Sequence, residues 1–182
     1  MSILHLADCP PRPWKNGLGR TRELAIHPPG AGMDDFLWRV SVAEVTAAAP
    51  FSAYPGVDRV IALLDGDGFT MHLGDGREHS LTAPCTPFAF AGETPVAMTL
   101  AGKPGRDFNL MLRRGRVRGG ISVWRGAGTH TPGDGVALVY CARGRIDSRD
   151  GTLGAGDAWR PGDGTLVLHA DAVALVVAVT SG

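Results

Sequence analysis

A chain of 182 residues with 18 Lys+Arg against 18 Asp+Glu, and 44% hydrophobic residues, is sized for one domain, or two small packed ones, around a substantial core. A formal net charge of zero leaves no electrostatic footprint for nucleic acid or an acidic membrane surface, and no apolar run reaches the length of a membrane span. A cytoplasmic protein is expected, because no basic-then-apolar leader is present and Cys9, Cys85 and Cys141 lack the spacing of a zinc site or a disulfide framework.

The first informative stretch is PRPWKNGLGRTRELAIHPPG, Pro11 to Gly30. Glycines beside a lysine raise the question of a phosphate loop. Lys15 precedes its glycines, against the Walker order, and Gly17-Leu18-Gly19 is followed by a strand-like run instead of a helix, so neither nucleotide fingerprint applies. A tight turn feeding a strand is the plain reading.

From there the 26 glycines and 13 prolines fall between short apolar runs, the pattern of an all-β sandwich or barrel. Strands are expected at Thr21 to His27, Leu37 to Val45, Arg59 to Leu64, Phe69 to Leu73, Pro87 to Phe90, Val96 to Leu100, Asp107 to Leu112, Ile121 to Trp124, Val136 to Ala142, Thr165 to His169 and Val173 to Val179. The best helical candidate is a turn or two near Val42 to Ala49, stopped by Pro50. Arg113, Arg114, Arg116 and Arg118 read as a solvated connector ending in Gly119-Gly120, with an anion site as the alternative.

An internal repeat organises these strands. The segment starting at Val60 and the segment starting at Val136 share an order of apolar strand, glycine turn, strand, Asp-Gly turn and Pro-bearing loop. Gly68 matches Gly144, and Asp75-Gly76 matches Asp150-Gly151, a strong hairpin signal. LGAGDAWRPGDG resembles the turn between two strands of a cupin barrel. Two such units make a double jelly roll: an N-terminal barrel over 1–113, a connector over 114–120, and a C-terminal barrel over 121–182 completed by N-terminal strands.

No metal site is expected. The six histidines include no His-x-His pair, and His72 and His79, flanking the Asp75-Gly76 turn, have no carboxylate pattern to complete a site. No Gly-x-Ser-x-Gly elbow or catalytic cysteine context is present, so no catalytic residue is assigned. Two strands carry polar residues on one face. In LWRVSVAEV, Arg39 and Ser41 oppose Trp38, Val40 and Val42; in RDFNLMLRR, Asp107, Asn109, Met111 and Arg113 oppose Phe108, Leu110 and Leu112. Either that mixed face is solvated, or it lines a lumen suited to a carboxylate-bearing metabolite with arginine as bidentate partner.

PWKNGLGRTRELA, WRVSVAEV, APFS, YPGVDRVIALLDGDG, PFAFAGETPV and RDFNLMLRRG resemble, in order and spacing, the motifs of the HutD/Ves family, a bicupin family associated with bacterial histidine utilisation. The resemblance implies two cupin-type jelly-roll barrels, no cofactor, and binding of N-formylglutamate or a related small carboxylate in modulating histidine breakdown. It places Trp14, Lys15, Asn16, Glu23, Arg39, Ser41, Arg59, Asp107, Asn109 and Arg113 in the matching motifs as ligand-binding candidates. PWKNG is then a loop over the barrel mouth. The alternatives are a metal-free hydrolase or isomerase with Glu23 or Asp107 as general base, and a protein-interaction module. Cupins often dimerise, so a homodimer is an open expectation, while the C-terminal run AVALVVAVT reads as a buried strand.

Overall fold

The computed structural model describes residues 3–14 and 18–182. Among these the only helical element is a single 3₁₀ turn at Leu6–Asp8; the rest is strand and connection. In chain order the strands are β1 (Ile3–His5), β2 (Pro11–Pro13), β3 (Gly19–His27), β4 (Trp38–Val45), β5 (Val57–Asp65), β6 (Phe69–Leu73), β7 (Glu78–Leu81), β8 (Phe88–Ala91), β9 (Val96–Leu100) and β10 (Gly105–Arg113). They continue as β11 (Val117–Arg125), β12 (Gly128–His130), β13 (Val136–Arg143), β14 (Ile146–Ser148), β15 (Gly151–Leu153), β16 (Asp157–Trp159), β17 (Leu166–Leu168) and β18 (Val173–Ser181).

The chain forms two compact units, Pro10–Arg118 with Gly182, and Gly119–Ser181 with residues 3–9. In the N-terminal unit a six-stranded sheet, in the order β2-β3-β4-β10-β5-β8, is covered by a three-stranded sheet, β7-β6-β9. Their shared interior joins Val45, Ile61, Leu63 and Phe90 of the large sheet to Phe69, Met71, Leu73, Leu81, Val96 and Met98 of the small one. The strand period of two puts Ile61 and Leu63 of the all-apolar VIALL on one surface, and the alternation in FTMHL puts Phe69, Met71 and Leu73 on the surface that faces it.

The C-terminal unit repeats the plan with a five-stranded sheet, β1-β16-β13-β18-β11, and a four-stranded one, β12-β17-β14-β15. Its interior is wholly apolar: Val139, Cys141, Ile146, Leu153, Trp159, Leu166, Leu168, Ala172, Ala174 and Val176. In both units the sheets remain paired sandwiches and do not close into a continuous hydrogen-bonded barrel.

The two matched glycines of the repeat do the same work in each unit. Gly68 has φ +78° and a Cβ there would land on the Leu81 carbonyl oxygen; Gly144 has φ +74° and a Cβ would lie 2.7 Å from Ala172 Cα. Only glycine supplies that left-handed backbone with the next strand so near. The Asp-Gly pairs turn the hairpins β6–β7 and β14–β15.

Two expectations are corrected. Val42 to Ala49 is not helical, because Val42, Ala43 and Val45 belong to β4 and pair with β3 and β10, where branched side chains pack well. Gly119-Gly120 is not a connector end; both residues sit inside β11, and a Cβ on Gly119 would meet the Ala178 carbonyl oxygen of neighbouring β18. Residues 3–9 lie with the C-terminal unit, since β1 pairs with β16 through Ile3 opposite Trp159 and His5 opposite Asp157.

Candidate functional site

Antiparallel register places the side chains of the large N-terminal sheet in rows, because directly opposed residues point to the same face. One row runs Thr21, Ala43, Asp107, Leu63; the next runs Glu23, Ser41, Asn109, Ile61, Phe88; the third runs Ile26, Arg39, Met111, Arg59, Phe90. A register shift between Glu23 and Ala25 keeps Glu23 and Ile26 on this inner face. With strands about 4.8 Å apart and rows about 7 Å apart, Glu23, Arg39, Ser41, Arg59, Asp107 and Asn109 form one patch beside the apolar interior.

The mixed face of β4 and β10 is therefore the buried one, and the solvated alternative is excluded. Arg39 is 8% exposed, Ser41 2%, Arg59 7%, Asp107 2% and Asn109 6%. The opposite face is no wetter: Val40, Val42, Phe108 and Leu110 are fully buried.

Within the patch the polar groups fall into two sets. Arg39 is held: its Nε–H donates to Glu23 Oε2 at 2.7 Å, one terminal N–H donates to Ser41 Oγ at 3.3 Å, and the same nitrogen sits 3.9 Å from Met111 Sδ. The other set is unsatisfied, for Arg59 Nε, Asp107 Oδ1 and Asn109 Oδ1 are buried with no hydrogen-bond partner among the described residues. Such groups cost about 1–3 kcal/mol each when left alone in an interior.

Arg59 is stabilised by aromatic faces in place of water. Its guanidinium carbon lies 5.1 Å from the Phe51 ring centroid, 5.6 Å from Tyr54 and 5.0 Å from Phe90. The loop APFSAYPG brings two of these rings over the strand, pinned by Phe51 N–H donating to the Val96 carbonyl and Tyr54 N–H donating to the Gly92 carbonyl. Burial lowers the Arg59 pKa, opposed by the Asp107 charge. Burial pushes the Asp107 carboxyl up from 3.8 to about 7, and the Arg59 charge pulls it back only in part.

Trp14 stands beside this region. Its Nε1–H donates to Thr21 Oγ1 at 2.8 Å, its N–H donates to the Gly19 carbonyl, and its ring packs against the apolar interior. Gly19 is small for that reason: a Cβ there would lie 2.9 Å from the Trp14 ring and 2.7 Å from the Glu44 carbonyl oxygen. Lys15 and Asn16 lie outside the described residues. Arg113 sits one row beyond Arg59, at the rim, and turns outward. It donates to the main-chain carbonyls of Phe36, Met33 and Asp34, covers the Phe36 ring at 4.8 Å, and helps line a surface cavity of about 380 Å³ with Asp34, Asp35, Leu37, Arg114 and Arg116.

The histidines are engaged singly. His72 bonds Glu78 and Thr99, His5 bonds Asp157, His169 bonds Asp147, and His27, His79 and His130 stack on Trp38, Phe88 and Trp124. His72 opposes Glu78 and His79 opposes Met71, so the turn sends the two imidazoles to opposite faces. Among the described residues no three His, Cys, Asp or Glu side chains gather as a metal site. No disulfide joins Cys9, Cys85 or Cys141 among the described residues, and burial pushes Cys141 up to about 11. No helix in those residues is long and apolar enough to cross a membrane.

Two stacked-sheet units, one with an apolar interior and one carrying a buried polar patch, define a cupin-type protein. The HutD family model matches residues 6–181, and the chain belongs to that family, which is associated with histidine utilisation. It is 37% identical over 172 residues to Protein Ves of Cronobacter sakazakii, covering 92% of both chains. It is 34% identical over 147 residues to a 21.2 kDa protein of the hutC 3′ region of Pseudomonas putida, covering 81% of this chain and 76% of that one. The structure of HutD from Pseudomonas fluorescens SBW25 in a formate condition superposes with TM-score 0.84 at 26% identity, over 100% and 98% of the two chains. Oxalate decarboxylase of Bacillus subtilis, at TM-score 0.66 and 10% identity over 100% of this chain and 79% of that one, shares the fold alone.

The aromatic set Phe51, Tyr54 and Phe90 was not legible as part of the site. The alternation in PFAFAG puts Phe88 and Phe90 on one face, but nothing local in the sequence ties that face to Arg59.

Proposed function

We propose that the N-terminal unit binds a small anionic metabolite at this patch, N-formylglutamate or a related carboxylate, and thereby modulates histidine catabolism without a metal. The observation that carries the reading is the unsatisfied set: Arg59 Nε, Asp107 Oδ1 and Asn109 Oδ1, buried on three successive rows of one sheet face beside an aromatic cage. A carboxylate accepts from the Arg59 guanidinium, and a formamide N–H donates to Asn109 Oδ1. Arg39 is already committed to Glu23 and Ser41, so its part is to fix the wall and add positive potential. The neighbouring apolar side chains strengthen each of these interactions by excluding water.

Calorimetric titration of chelator-treated protein with N-formyl-L-glutamate, with glutamate, formate, urocanate and histidine as controls, tests the reading. Saturable binding of N-formyl-L-glutamate that R59M weakens at least tenfold supports it. No heat and no thermal shift with any of the five rejects it, since a ligand at 100 times its Kd adds about 2.7 kcal/mol.

One observation favours a second reading. A carboxyl held near 7 in an interior is suited to general acid–base work at neutral pH. Metal-independent turnover of the bound metabolite, lost in D107N with binding retained, would replace the binding protein with an enzyme.

A further inference from the structure

We infer that each anion bound at the patch brings one proton with it, taken up from solvent by Asp107. This rests on the binding reading above and adds a regulatory property to it. The starting point is geometric. Asp107 is 2% exposed, its Oδ1 has no partner, and among the described residues it forms no ion pair. Its cross-strand neighbours are Ala43 and Leu63, which offer no donor. Among the described residues, a carboxylate so placed is stabilised only at a distance, by the charge of Arg59.

An anion on the Arg59 guanidinium removes that support. It neutralises the nearest cation and adds a negative charge beside a second one, and two carboxylates sharing one site do not both stay ionised. The bound metabolite keeps its charge because the guanidinium holds it directly; Asp107 is the group that takes the proton. Its new O–H then serves as a donor to the ligand, changing a repulsive neighbour into a hydrogen-bonding one.

Among the described residues, the other charged and titratable groups around the patch do not take up this proton. Glu23 is paired with Arg39, the Arg59 guanidinium has no proton to accept, and Tyr54 is a phenol lying over Arg59. The residues facing the patch from β6 and β9 are apolar, Phe69, Met71, Leu73, Val96 and Met98. His79 of β7 is stacked on Phe88, and burial lowers its pKa. Among the described residues it is the one rival proton acceptor, which the variant below separates.

The test is titration with N-formyl-L-glutamate in Hepes, Taps and Tris at pH 8.0 and in Mes, Bis-Tris and piperazine at pH 5.5. The slope of observed heat against buffer ionisation enthalpy counts protons exchanged. The ligand's carboxylates are ionised throughout, so they contribute none. About one proton taken up per anion at pH 8.0, close to none at pH 5.5, and an association constant falling about tenfold per pH unit where uptake is complete are expected. D107N binds with a slope near zero at both pH values, whereas H79N keeps the wild-type slope. Binding with zero slope at pH 8.0, or a slope that D107N leaves intact, overturns the proton coupling and leaves the site standing. Absence of binding by the wild type overturns both. The wild-type slopes decide the matter by themselves if D107N does not fold.

Discussion

The free protein carries a stability signature of the same carboxyl. Replacing Asp107 by Asn keeps the shape and removes the charge. In the unfolded chain the carboxyl titrates near 3.8, and in the folded chain near 7. Below pH 3.8 it is neutral in both states and costs nothing. As pH rises through the window from 3.8 to about 7, the unfolded state ionises while the folded state must hold its proton, so stability falls. The accumulated loss is about 4 kcal/mol at pH 8, from a pKa raised by about three units at 1.36 kcal/mol each. D107N is thus expected to match wild type near pH 4 and exceed it by up to about 4 kcal/mol at pH 8, a gain of roughly 10 °C in Tm for a chain of this size. Urea denaturation of both proteins at pH 4, 6 and 8, followed by tryptophan fluorescence, measures the difference. Carboxylates held low by arginine or histidine, such as Glu93 beside Arg114 and Asp147 beside His169, each at about 2, cancel between the two proteins. A difference that is the same at every pH, or a D107N protein less stable at pH 8, refutes the reasoning.

R59M removes a buried cation with an unsatisfied Nε and leaves a side chain that suits the aromatic cage; its urea midpoint is expected within about 1 kcal/mol of wild type or above it, while anion affinity drops. G68A and G144A each force a left-handed backbone on alanine and press a methyl into the adjoining strand, so each is expected to cost about 3 kcal/mol or more by denaturant titration. G19A pushes the Trp14 ring from its place and breaks its bond to Thr21, to be read as a shifted tryptophan emission together with weaker anion binding; an unchanged spectrum would separate Trp14 from Gly19.

Alternation in WRVSVAEV and RDFNLMLR was enough to show that β4 and β10 each have a mixed and an apolar face. A period of two says that the faces differ, not which one the second sheet covers, and here both are buried. The location of Arg39, Ser41, Asp107 and Asn109 on one face was legible for that reason, and their burial was not. The aromatic support of Arg59 comes from Phe51, Tyr54 and Phe90, which meet only through tertiary packing. Strands β14 to β17 have three residues each, too few to display a period; the sequence signalled Asp150-Gly151 between two of them far better than the strands themselves. The Val42 to Ala49 reading failed because the Ala-rich tail after Val45 suits a helix locally, while cross-strand pairing on both sides of β4 outweighs that preference.

The pairing of β1 with β16 joins residues made at opposite times by the ribosome. Ile3 finds its partner only when Trp159 has emerged, whereas residues 10–118 have every strand of their own two sheets in hand before the second half of the chain is made. At about 5–20 residues per second, residues 3–9 wait for several seconds or more without their β16 partner while residues 10–118 can already be folding. A fusion or truncation at the amino end is therefore felt by the last sheet to be completed, and the buried polar patch, built entirely between residues 19 and 111, is left intact by it.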